Sequence, residues 1–284
     1  MKTLIKNGLV VDPANLVQTH LNLLLEDGKI VAVTEEEPEA DRVIDAAGKV
    51  VAPGFIDIHM HEDPVKDDKI QFCIFDAMLR MGVTTAVGGN CGINVYDPVK
   101  YLDLLERDGA PVNVMMFAGH QYYREAAGAL DKYSPVTEEQ RKMMKKGLEE
   151  ALEAGCVGIS YGLRYVPGTG REEFLDTASC CQKEHLLISA HVRDDEERVF
   201  GAVAEVAEAG KIFDIPVEIS HIGSMAGFGQ MEQLLKQVDG YRMNGMDITC
   251  DCYPYFAFST RIGATTYDDG WLERYHCDYD ACQL

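Results

Sequence analysis

Hydrophobic positions along the chain fall into two regimes. Up to residue 52 they come in short runs that alternate with polar residues, the period of strands with one buried face. Leu21-Asn22-Leu23-Leu24-Leu25 leads into Glu26-Asp27-Gly28-Lys29, a hairpin-turn signal, and then into Ile30-Val31-Ala32-Val33. Val43 to Lys49 is another strand and turn. Residues 1–52 therefore read as a small β-sandwich-type domain.

From Pro53 the pattern becomes strand then helix, repeated. The apolar run from Val50 to Ile56 reads as the buried start of a first strand ending at His61. Six more strands are predicted: Thr84–Gly88, Val112–Phe117, Cys156–Ser160, Leu186–Ala190, Val217–Ser220 and Met246–Cys252. Helices are expected near 71–81, 97–108 and 171–184, and after strands five and six. The helix after strand three opens on Thr137-x-x-Gln140, a capping box, carries Met143, Met144, Leu148, Ala151 and Leu152 on one face, and stops at Gly155.

Strands alternating with helices predict a parallel sheet with helices outside it. A doubly wound sheet and a (β/α)8 barrel both satisfy that pattern. Polar residues cluster after the C-terminal end of every strand in turn, which favours a TIM-like barrel over residues 53–284, because a barrel gathers all those ends at one mouth. Residues 256–284 contain no clear eighth strand. The expectation is a barrel incomplete at its C-terminus, in a chain cut from a longer protein.

Composition narrows the partners. An apolar fraction of 46% is that of a globular protein, and a formal charge of −21 argues against nucleic acid or an anionic membrane as partner. Met1-Lys2-Thr3-Leu4-Ile5-Lys6 lacks the apolar core of a signal peptide, and no run approaches a membrane span. The nine cysteines include the neighbours Cys180-Cys181 and the near neighbours Cys250 and Cys252, unlike a spaced secreted framework. The reading is a reducing, cytoplasmic setting with most thiols as small core residues. The sequence leaves homo-oligomer formation open.

Five of the eight histidines sit at the predicted strand ends: His59 and His61, His120, His191 and His221. With them come Gly88-Gly89-Asn90-Cys91-Gly92, Tyr161-Gly162-Leu163-Arg164-Tyr165, His191-Val192-Arg193-Asp194 and Asp251-Cys252-Tyr253. A zinc site takes nitrogen and sulfur ligands, which Cys91, His191 and His221 can supply. The glycines beside Cys91 would let the backbone bend and turn the thiolate inward. A cysteine nucleophile at Cys91 paired with a histidine is an alternative from another mechanistic class.

Pro-Gly-Phe-Ile-Asp-x-His-x-His after a small β domain resembles the amidohydrolase superfamily. More narrowly, residues 1 to about 260 resemble the N-acyl-D-amino-acid deacylases (D-aminoacylases). The matches are Gly-Gly-Asn-Cys-Gly, Gly-Ile-Ser-Tyr-Gly-Leu-Arg-Tyr-Val-Pro-Gly, His-Val-Arg-Asp, Ile-Ser-His and Asp-Cys-Tyr-Pro-Tyr. The resemblance implies zinc-dependent hydrolysis of N-acyl-D-amino acids, small-molecule substrates. It implies Cys91, His191 and His221 around a tight zinc and His59 and His61 at a second, weaker position. Cys91 would take the place of the carboxylated lysine of dihydroorotases and hydantoinases, and no lysine occurs from Cys156 through Gly170. Those cyclic-amide hydrolases remain the runner-up.

The family's proton-shuttling Asp belongs to strand eight and has no counterpart here, so the catalytic residue is unassigned. Asp251, at the end of strand seven, is not an obvious replacement. A metal-binding but inactive chain is the third reading. For the substrate carboxylate, His120, Arg164, Tyr165, Arg193 and Tyr253 are the candidate contacts. Ile222-Gly223-Ser224 follows His221, where the family often has a lysine.

Overall fold

The computed structural model describes residues 1–282. By compactness the chain divides after Phe55 into two units. In the first unit β1 (Lys2–Asp12) is central. It pairs antiparallel with β2 (Val17–Glu26), and β2 in turn with β3 (Lys29–Thr34). On its other side β1 runs parallel to β4 (Arg42–Asp45) and β5 (Val50–Val51). The β2–β3 turn places Asp27 and Gly28 at φ 49° and 79°, the left-handed pair a tight hairpin needs.

The short β6 (Phe55–Asp57) starts at that boundary, and the second unit goes on to a small hairpin of β7 (Val65–Lys66) and β8 (Lys69–Ile70). Strand–helix alternation follows: α1 (Ile74–Arg80), β9 (Val83–Gly88), α2 (Pro98–Asp108), β10 (Asn113–Met116), β11 (Ala118–Gly119), α3 (His120–Ala126) and α4 (Glu138–Glu153). Then come β12 (Gly158–Gly162), α5 (Arg171–Ala178), β13 (Leu187–His191), α6 (Val199–Phe213), β14 (Val217–Ile219), α7 (Ile222–Met225), α8 (Met231–Met243), β15 (Ile248–Cys250) and α9 (Trp271–Arg274). Among the described residues no strand follows β15. Gln283 and Leu284, the end of the stretch predicted to lack an eighth strand, lie outside those described.

The strands form two sheets, β10-β9-β6 and β11-β12-β13-β14-β15, in chain order. Phe117 joins the two runs, its N–H donating to the Gly88 carbonyl at 2.9 Å. From β9 onward the paired strands run parallel, so their C-terminal ends line one edge. Phe75, Met116, Leu148, Ile159, Phe174, Ile188, Val203 and Ile219 are buried in the core between strands and helices. Thr137 and Gln140 form the expected capping box on α4, which holds that helix at its N-terminus.

Three expectations need correction. The run from Val50 to Ile56 is not one buried strand: Val50, Phe55 and Ile56 are 62%, 66% and 72% exposed. Pro53 has no N–H for a ladder, and the run splits into β5 of the first unit and the short β6. Consequently β6 ends at Asp57, and His59-x-His61 lies beyond it in irregular chain. Finally, only Cys91, Cys156 and Cys181 of the nine free cysteines are buried. Among the described residues no helix is long and apolar enough to cross a membrane.

Candidate functional site

The edge formed by the strand ends carries a thiol surrounded by imidazoles. Cys91 follows β9 in a turn where Gly89, Cys91 and Gly92 take φ of 78°, 56° and 76°. Three left-handed residues in four double the chain back sharply, which is why glycine flanks the cysteine. Ser160 on β12 staples the turn: its hydroxyl donates to the Gly89 carbonyl and accepts the Gly92 N–H at 3.0 Å. Cys91 Sγ then lies 3.4 Å from His59 Nε2, 3.6 Å from His221 Nε2 and 4.0 Å from His191 Nδ1. Two overlapping donor groups result, Cys91 with His191 and His221, and Cys91 with His59 and His61, each with its donor atoms within 4.8 Å of one another.

Two of the ring nitrogens facing away from the thiol are held. His59 Nδ1 meets Asp251 Oδ2 at 2.8 Å, and His221 Nδ1 meets Ser224 Oγ at 3.1 Å. Such partners fix ring orientation in metal sites and raise ligand basicity. Burial, then the neighbouring imidazoles, pushes His191 well below its ordinary pKa and His221 down to about 4, so both are neutral bases at pH 7. Burial and the His59 charge lower His61 too. Burial alone would lower His59, but Asp251 and Cys91 outweigh it and raise it to about 10. A buried thiol among oriented, mostly neutral imidazoles matches the nitrogen and sulfur donor set of a zinc-type ion.

The candidate substrate contacts separate. Tyr165 packs against His191, the rings tilted by 58° with centroids 4.4 Å apart. Arg164 has one guanidinium nitrogen 3.7 Å from Asp194, and its buried Nε has no hydrogen-bond partner among the described residues. Tyr253 is half-buried beside Ser224. Arg193 is already matched, donating to both carboxylate oxygens of Glu205 on α6 at 2.9 and 2.8 Å. His120 is buried in a different cluster, its Nε2 3.0 Å from Glu173 Oε1, which also accepts from Arg124 Nε at 3.1 Å.

Sequence reasoning missed Asn90 and Arg261. The buried Asn90 amide donates to the carbonyls of Val87, Ile58 and Met60 at 2.8, 3.1 and 3.4 Å. It supplies the hydrogen bonds that β6 no longer gives, and so ties the His59 segment to the Cys91 turn. Its place inside the Gly-Gly-Asn-Cys-Gly run was the available signal. The Arg261 charge reaches both His61 and Tyr165. No sequence pattern marked it.

Residues 42–164 match the family model of the amidohydrolase family. A D-aminoacylase of Alcaligenes xylosoxydans xylosoxydans is 30% identical over 91% of this chain and 58% of its own length. The chain carries an amidohydrolase-family domain over residues 42–164. Its fold is the α/β fold of solved amidohydrolases. A D-aminoacylase with a binuclear metal centre superposes with a TM-score of 0.79 at 28% identity, over 89% of this chain and 58% of that one. An N-acyl-D-glutamate deacylase from Bordetella bronchiseptica, complexed with zinc and a phosphonate inhibitor mimicking the tetrahedral intermediate, superposes with a TM-score of 0.77 at 28% identity and the same coverage. This chain thus spans about 58% of the length of these relatives.

Proposed function

We propose that this chain takes part in metal-dependent hydrolysis of N-acyl-D-amino acids, cleaving the amide to a carboxylate and a free D-amino acid. The observation that carries the reading is Cys91 Sγ within 4.0 Å of imidazoles from three separate chain segments. Cys91, His191 and His221 would hold the tighter ion, and His59 and His61 the weaker one. A bound divalent ion lowers the pKa of water and polarises an amide carbonyl.

The chain's own residues orient and bind. Arg164, with an unpartnered donor close to His191, is the carboxylate partner we assign, helped by Arg261; Tyr165 packs against the same imidazole. Arg193 and His120 are removed from the set of substrate contacts, since Glu205 and Glu173 already occupy their polar atoms. The parallel strands in chain order support a barrel that closes through a strand beyond β15, where the proton-shuttling Asp of the family would stand.

The test is hydrolysis of N-acetyl-D-amino acids, their L-enantiomers and a hydantoin, with chelator and after zinc is returned. Turnover of the D-substrates alone, abolished by chelator and restored by zinc, is expected. Turnover of the hydantoin alone would overturn the substrate class, and chelator-resistant turnover would favour a cysteine nucleophile.

A further inference from the structure

Below the Cys91 turn lies a buried carboxyl group that the proposed chemistry does not use. Glu218, on β14, is 1% exposed. Its Oε2 accepts the Ser189 hydroxyl at 2.6 Å and the Ser220 hydroxyl at 3.1 Å, and its Oε1 accepts the Asp251 backbone N–H at 3.1 Å. Through that N–H, Glu218 holds the backbone of Asp251 in place. Asp251 in turn spends one oxygen on His59 Nδ1 at 2.8 Å and the other on the His221 N–H at 2.6 Å. Glu218 makes no hydrogen bond to an imidazole itself. It fixes the one carboxylate that bonds to both histidine residues.

We propose that Glu218 is a positioning residue of the donor cluster, acting through Asp251 to keep His59 aimed at Cys91 and His221 in place. The inference rests on the metal-centre reading above and deepens it. It also accounts for burying an acid where an apolar side chain would pack at lower cost. Ser189 completes the device from the next strand, because its hydroxyl orients the Glu218 carboxyl.

The experiment measures zinc affinity by competition with a chromophoric chelator in the parent, Glu218→Gln, Glu218→Leu, Ser189→Ala and Cys91→Ala. Cobalt substitution, read as the thiolate-to-cobalt absorption band, and urea unfolding are recorded alongside. Gln keeps the shape and an oxygen that accepts the Asp251 N–H, so Glu218→Gln is expected to bind zinc within about threefold of the parent. Glu218→Leu, folded by circular dichroism, is expected to bind about 10–100-fold more weakly, the usual loss when the partner of a ligand is removed, and to shift the cobalt band. If Glu218→Leu does not fold, Ser189→Ala decides, with a several-fold loss expected. Parental affinity and an unshifted cobalt band in Glu218→Leu, or in Ser189→Ala where the former is unfolded, overturn the proposal. So does a Glu218→Gln as weak as Glu218→Leu. Zinc affinity unchanged in Cys91→Ala, or no zinc bound by the parent, defeats the metal-centre reading itself. That result is distinct from one in which Cys91→Ala loses zinc while the Glu218 variants keep it.

Discussion

A Cβ built on Gly162 would lie 2.2 Å from the carbonyl oxygen of Cys91. The end of β12 and the cysteine turn therefore meet backbone to backbone, and the approach is mutual: a Cβ on Gly92 would lie 2.8 Å from the Gly162 N. Neither backbone can yield as a flexible side chain would. Gly162→Ala is expected to destabilise the protein by about 1–3 kcal/mol, as overpacking a core does, and to weaken zinc binding by displacing Cys91. Urea unfolding and zinc titration of the variant check both effects. Parental zinc affinity in a folded variant would show that the thiol does not depend on this contact.

His59 and Asp251 set a pH dependence. The imidazole is raised to about 10 in the metal-free protein, so it is protonated at pH 7. Its pairing therefore stabilises the metal-free fold below the ordinary histidine pKa, and that contribution is lost as pH rises toward about 10. A metal must displace the proton, so apparent metal affinity is expected to rise with pH. Calorimetry in buffers of different ionisation enthalpy would count the protons released. Asp251→Asn, which removes the carboxylate, is expected to release about one proton fewer at pH 7 than the parent. Equal proton release in both would show that His59 is not the source.

Arg124 is 2% exposed and is a structural charge. It donates to Glu173, to the carbonyls of Ala129 and Asp131 at 3.0 and 2.9 Å, and to the Ser134 carbonyl. Arg124→Met leaves Glu173 buried without its guanidinium and frees the 129–134 loop. A loss of about 3–5 kcal/mol is expected in chemical denaturation. A loss below about 1 kcal/mol would mean that His120 alone satisfies Glu173.

The two strand-end arginines should separate in kinetics. Arg164→Ala is expected to raise KM for an N-acetyl-D-amino acid by about 10–100-fold, the worth of a charge-assisted hydrogen bond. Arg193→Ala is expected to lower stability through Glu205 while leaving KM near the parental value. Steady-state rates and melting temperatures distinguish them. The reverse pattern would exchange the roles assigned here.

Periodicity alone located most of the second unit. Strands at 84–88, 186–190 and 217–220 and the capped helix at 138–153 lie within a few residues of their predicted places, because each repeats one local pattern of burial. Chain order also placed Cys91, His191 and His221 at the ends of strands two, five and six. The first strand was misread because an apolar run resembles a buried strand whether or not it is buried, and Pro53 splits this one between two units.

What the sequence determined by itself was the set of chemical groups and the elements that carry them: a cysteine between glycines, histidines after strands, a family pattern. Tertiary structure alone decided their partners. Asp251 is 192 residues from His59, and Glu173 is 49 from Arg124. Whether a carboxylate orients a ligand, neutralises a buried arginine or faces water depends on which groups the fold brings within about 3 Å of it, and local periodicity carries no information about that distance. Arg164 and Arg193 look alike in the chain, two basic residues just past a strand. They differ because α6 offers Glu205 to one of them, while the other keeps a buried donor unpaired.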